Sequence, residues 1–171
     1  MYLNLTLNEF LEKTKKTNIY LCLNNAKFQL YENNFNGGLC HWINTINGKK
    51  ILVECEGCNC PLCLKDFKST CRATVTVFDL NDNTPKYADF PISILQQIEA
   101  YINNPEYDLH KTIFKIIKNG DGKNCSYKVI TLREERQLNE KEIDLLQSFI
   151  KNHPIKQFYK YDNVRDKIKD V

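Results

Sequence analysis

The chain has 171 residues, 42% of them apolar and 26% charged, with a formal net charge of +3. A chain of this size and composition is expected to bury a substantial core as one domain with at most an appendage. No apolar run is long enough to span a bilayer, and residues 1–10 have neither the basic start nor the cleavage site of a signal peptide.

In chain order, Thr6 and Glu9 have the spacing of a capping box and open a short helix expected through about Lys16. Residues 17–23 and 26–31 read as two strands joined in a hairpin by Asn24 and Asn25. A polar, glycine-bearing stretch from Glu32 to Gly38 leads to Cys40, His41 and Trp42. After the Asn47–Gly48 turn, Ile51 to Glu54 read as a short strand entering a dense cluster, Cys55, Cys58, Cys60 and Cys63, with Cys71 beyond it. Arg72 to Leu80 alternate with period two. Ala73, Val75 and Val77 fall on one face, and Arg72, Thr74, Thr76 and Phe78 on the other.

A returning segment to Phe90 follows. Pro91 then starts a helix in which Ile94, Leu95, Ile98 and Ile102 recur at helical spacing. Residues 111–118 and 125–132 flank a glycine-rich turn as a hairpin. A last helix starts near Asn139, carries Ile143, Leu145, Leu146 and Phe149, and ends before Pro154. The tail mixes basic residues with Phe158, Tyr159 and Tyr161, and residues 111–171 hold the positive excess of the chain. That excess suits an anionic partner such as a phosphate backbone.

Several strands, a helix and a closing hairpin form the element order of an OB-fold, a five-stranded Greek-key barrel. The expected class is therefore mainly β with helices. Residues 1–135 form the OB-fold domain with a zinc-binding insertion at about 38–71, and residues 136–171 a C-terminal helix and basic tail.

Four thiols in nine residues are too dense for packing, and neighbours such as Cys58 and Cys60 make poor disulfide partners. One structural Zn²⁺ accounts for them, with four thiolate or imidazole ligands converging on one point. Two Cys-x₂-Cys pairs separated by Asn59 alone would strain the loop. The more relaxed set is Cys60 and Cys63 of the knuckle, Cys55, and His41 from the preceding hairpin. Cys40 and Cys71 are rivals for the fourth place, Cys58 is a spare thiol, and Cys22 and Cys125 are expected in the core. Nothing matches His-x-Glu with Pro-Cys-x₂-Cys or His-Glu-x₂-His, and there is no nucleophile–base pair or acidic metal cluster. The chain is not expected to be an enzyme.

His41, Cys55, Gly57 and the run Cys60, Pro61, Leu62 and Cys63 follow the pattern His, then Cys-x-Gly-x₂-Cys-Pro-x-Cys. With the stretch Asn104 to Tyr107 and with Gly120 and Gly122 ahead of Tyr127, the sequence over about 38–132 resembles the zinc-containing, OB-fold single-stranded-DNA-binding proteins of tailed bacteriophages. Cys58 is an extra thiol in the motif, and residues 156–169 are basic where that family carries an acidic tail.

The resemblance implies sequence-independent binding of single-stranded DNA in viral replication or recombination. It leaves RNA open, and it implies replication or recombination proteins as partners and the host cytoplasm as location. The alternative is a zinc-stapled protein-interaction or transcription-accessory subunit. Binding single strands needs aromatic faces and cations along a groove. The stacking residues proposed from the sequence are Trp42, Phe78 and Tyr127, with Phe114 placed in the core. The candidate phosphate contacts are Lys49, Lys50, Lys65, Lys68, Arg72, Lys115 and Lys128.

Overall fold

The structure is a computed structural model that describes residues 19–169. The helix expected over 6–16 lies outside them. Among the described residues seven strands form one open antiparallel sheet in the order β3-β2-β4-β1-β6-β7, with β5 on the other edge of β4. They are β1 (Lys27–Leu30), β2 (Asn36–Asn44), β3 (Lys50–Glu54), β4 (Ser69–Asp79), β5 (Thr84–Pro91), β6 (Thr112–Asn119) and β7 (Ser126–Glu135). Four α-helices among the described residues accompany them: α1 (Pro61–Leu64), α2 (Ile92–Ile102), α3 (Glu140–Asn152) and α4 (Tyr161–Val164). Among the described residues no helix is long and apolar enough to cross a membrane.

The long strand β4 organises the sheet. From Arg72 to Asp79 it pairs with β5. Its other edge is shared, β2 taking Ser69 to Thr74 and β1 taking Val77 to Asp79. β1 and β2 are thus one interrupted strand whose register jumps across residues 31–35. Beyond that break the sheet forks, one arm continuing to β6 and β7 and the other to β3.

The hairpin expected across Asn24 and Asn25 does not form. The turn is present, with Asn25 at φ 56°, but both edges of β1 are already taken by β4 and β6. Ile19 to Leu21 instead lie along β5, bonding through the Tyr87 amide and carbonyl at 2.8 Å each. Cys22 is consequently exposed and Cys125 half-buried, so neither is the core residue expected from the sequence.

The main core joins Phe28, Val75, Val77, Phe90, Phe114, Ile116 and Val129 to Ile94 and Ile98 of α2. Each such aliphatic side chain contributes about 1.5–3 kcal/mol on burial. Helix α2 also occupies the free edge of β7. The Gln97 side chain donates to the Tyr127 carbonyl at 2.9 Å and accepts from the Val129 amide at 2.8 Å, while the Tyr101 hydroxyl donates to the Val129 carbonyl at 3.4 Å. Backbone groups that a neighbouring strand would use are thereby satisfied by helix side chains. Among the described residues no ladder joins β7 to β5, and the Greek-key closure of a five-stranded barrel is not among the pairings.

Helix α3 begins with a capping box, Asn139 accepting from the Glu142 amide at 2.8 Å and Glu142 accepting from the Asn139 amide at 3.1 Å. It covers the other face of β4 and β5, with Leu146 fully buried and Phe149 4.7 Å from the Tyr87 ring. This overturns one reading of the sequence. Phe78 shares its face with polar residues, yet it is 1% exposed and the Arg136 guanidinium lies 5.8 Å from its ring centre. Arg136 is itself held by Glu142 at 2.7 Å. Phe78 therefore has no face to offer a base.

A second core closes the other arm of the fork. Ile43, Ile51, Val53, Cys60 and Leu62 pack with Val164 and Ile168 from the end of the chain. The tail reaches them by bridging Val53 through Tyr159 and Thr45 through Ile168.

Candidate metal centre

The hairpin of β2 and β3 turns at Thr45–Lys49, where Gly48 adopts φ 76°. Alternation along β2 puts His41 and Ile43 on one face and Cys40 and Trp42 on the other. His41 therefore faces the knuckle. Cys55 leaves the end of β3, and its amide is tied to the Leu39 carbonyl at 3.0 Å. Cys60 precedes Pro61 at the start of α1, and Cys63 lies within that helix. Gly57, at φ 81°, makes the reversal between the two parts of the motif, in a region that disfavours residues bearing a Cβ.

His41, Cys55, Cys60 and Cys63 bring their ligand atoms within 4.8 Å of one another. Cys55 Sγ lies 3.6 Å from Cys63 Sγ, and His41 Nε2 lies 3.5 Å from the sulfurs of both Cys60 and Cys63. A tetrahedral ion with bonds of about 2.3 Å to sulfur and 2.05 Å to nitrogen would set these separations near ~3.8 and ~3.5 Å. The cluster can thus hold one metal ion without rearranging the backbone.

Protonation agrees with the geometry. His41 Nδ1 is 3.1 Å from the Lys68 carbonyl, which can only accept, so Nδ1 carries the proton and the Nε2 lone pair points at the thiols. The sequence offers Lys68 only as a phosphate contact, and its place beside His41 is what that reading missed. It acts through its carbonyl, which no side-chain motif reveals.

The rival cysteines fall outside the cluster. Cys40 is fully buried on the opposite face, its thiol donating to the Thr70 carbonyl at 3.5 Å, and burial pushes that thiol up to about 11. Cys71 is half-buried and Cys58 exposed.

At Cys60, burial opposes ionisation. Hydrogen bonds from the backbone at Cys63, Glu56 and Leu62 and from His41 outweigh it and lower the thiol from 9.0 to about 6. At Cys63, the hydrogen bond with Cys55, together with burial and neighbouring sulfurs, raises the thiol to about 11. The two shifts have opposite signs for stability. The depressed Cys60 stabilises the fold above 9.0 and loses that contribution as pH falls through about 6. The raised Cys63 contributes below 9.0 and loses its share as pH rises through about 11. Metal binding must expel the Cys63 proton, so affinity should rise with pH across 6–9. Calorimetric titration of metal at pH 7 in two buffers of different ionisation enthalpy is expected to show net proton release; buffer-independent heats would contradict the ligand assignment.

The remaining sequence-proposed residues are dispersed. Trp42 is 45% exposed, with the Arg72 guanidinium 5.6 Å from its ring centre. Arg72 also pairs with Asp89 at 3.2 Å. Lys49 and Lys50 are exposed at the hairpin turn beside this face, and Lys65 is exposed beyond the knuckle. Lys115 and Lys128 lie on the other arm of the sheet, Lys115 directly opposite Lys27. Tyr127 packs half-buried against the main core. No family model, curated protein or solved structure matches the chain.

Proposed function

We propose that this protein is a zinc-stapled OB-type module that binds single-stranded nucleic acid, single-stranded DNA foremost, without sequence preference. The observation that carries the reading is Trp42. It is the only tryptophan, and it lies open on the outer face of the metal-bearing hairpin, with Arg72 against its ring and Lys49 and Lys50 nearby. An aromatic platform beside cations is what sequence-tolerant strand binding requires.

The element order supports the OB-type reading. Counting β1 and β2 as one interrupted strand and setting β3 aside leaves five strands, with α2 between the third and fourth. The donor set of one imidazole and three thiolates suits Zn²⁺, and four protein ligands leave no position for a reacting water, so the ion is structural and the module non-catalytic. If the resemblance to phage single-stranded-DNA-binding proteins holds, the activity would serve viral replication or recombination within the host cytoplasm.

Base stacking on Trp42 should quench its fluorescence. Trp42→Ala should weaken binding by about 1–3 kcal/mol. Titration with an oligothymidylate at two salt concentrations measures both this loss and the salt slope, about −0.7 per phosphate contact. Unchanged emission at saturation, with wild-type affinity in Trp42→Ala, would refute the platform. The Asp89 carboxylate beside Arg72 favours a second reading, a protein-interaction module, and that reading predicts no salt-dependent binding to the strand.

A further inference from the structure

Gly37 and Leu39 belong to the part of β2 that lies beyond the end of β3. In an antiparallel strand alternate residues send both backbone groups to the same side. The Leu39 carbonyl accepts from the Cys55 amide on the β3 side, so the Leu39 amide and both backbone groups of Gly37 also face away from β4. None of the three has a hydrogen-bond partner among the described residues. They open into a groove of about 390 Å³, walled on its far side by residues 155–158 of the tail and at its end by Glu54, Cys55 and Lys160.

We propose that this groove takes one extended peptide segment of a partner protein, which continues the line of β3 and pairs with the open edge of β2. This proposal is independent of the nucleic-acid reading. Gly37 is confined to glycine by β4 itself, since a Cβ there would lie 2.1 Å from the Arg72 carbonyl oxygen, so β2 lies tight against β4 at this point and only its other edge is open. Alternating amide and carbonyl groups complement another extended backbone.

The groove also indicates the side chains it prefers. Leu39, Ile155 and Phe158 offer apolar contact. Lys156 has no acidic partner among the described residues, whereas Lys160 is already paired with Glu54 at 2.9 Å. The segment that fits best therefore alternates apolar and acidic residues.

The test uses the full-length, zinc-loaded protein and a capped hexapeptide of alternating valine and glutamate, followed through the Gly37 and Leu39 amides by nuclear magnetic resonance. The expected result is a saturable shift of both resonances with at least tenfold slower exchange of those amides. Lysine in place of glutamate should weaken binding at least fivefold, and Lys156→Glu should reverse that preference. N-methylation of the peptide backbone at alternate residues should abolish binding, a control that needs no change to the protein. The proposal is overturned if millimolar peptide leaves both amides unmoved, or if the N-methylated peptide binds equally. It also fails if both amides are already protected in the free protein, which would mean that the chain fills its own groove. Displacement of the peptide by an oligothymidylate at the same amides would assign the groove to nucleic acid instead.

Discussion

Cys60→Ser and Cys63→Ser are each expected to reduce zinc content from one ion per chain to near zero and to disorder the hairpin arm of the sheet, whereas Cys22→Ser should leave both intact. Structural zinc sites in small peptides are worth on the order of 10 kcal/mol, more than any single side chain in either core supplies. Cys60 does two jobs, since its sulfur joins the ligand cluster while its side chain is wholly buried among Ile43, Val53, Leu62 and Val164. Loss of the ion would leave the His41 ring and the thiols buried without their partner. The main core is built on different residues and should persist, so far-ultraviolet dichroism should report partial rather than complete unfolding. Elemental analysis of fresh, reduced protein checks the premise, and wild-type protein without zinc would end the argument.

Deleting residues 155–171 is expected to lower the melting temperature by on the order of 10 °C and to leave the salt dependence of any nucleic-acid binding unchanged. Val164 and Ile168 are buried in the second core at 4% and 6% exposure, each side chain worth about 1.5–3 kcal/mol. The deletion also removes backbone bonds between Tyr159 and β3, at 2.9 and 3.0 Å, and between residues 167–169 and residues 44–46, at 2.8 and 3.1 Å. The Lys160–Glu54 pair has both side chains largely exposed and adds little. Ile168→Ala alone should cost about 2–5 kcal/mol. The opposite pattern, a shallower salt slope at an unchanged melting temperature, would make the tail a strand-gripping arm.

Local signals in the sequence were legible where one element contains its own explanation. Asn139 with Glu142 starts α3, Pro91 immediately precedes α2, and the glycine turn joins β6 to β7 as read. The convergence of His41 with Cys55, Cys60 and Cys63 was legible for a similar reason. Strain in the short loop already separated Cys58 from Cys60, and alternation along β2 turns Cys40 away from His41. What could not be read depends on which distant element arrives. The polar face of β4 looks solvated until α3 lies on it and buries Phe78 and Thr76. Pairing of residues 17–23 with β1 was reasonable until β4 and β6 took both edges. Charge in the tail suggested a ligand, whereas Val164 and Ile168, two apolar residues among many polar ones, fix its place.

The second core has a consequence for anyone who would transplant the metal hairpin into another scaffold. The four residues able to hold a metal ion all fall within residues 41–63, which invites treating that stretch as a portable cassette. Yet the apolar underside of the cassette, Ile43, Ile51 and Val53, is roofed by residues more than a hundred positions later in the chain. A graft that carries the ligands alone would carry an uncovered greasy surface with them. A transferable unit comprises two pieces, the hairpin with its knuckle and the segment 159–168, delivered to the host at separate insertion points.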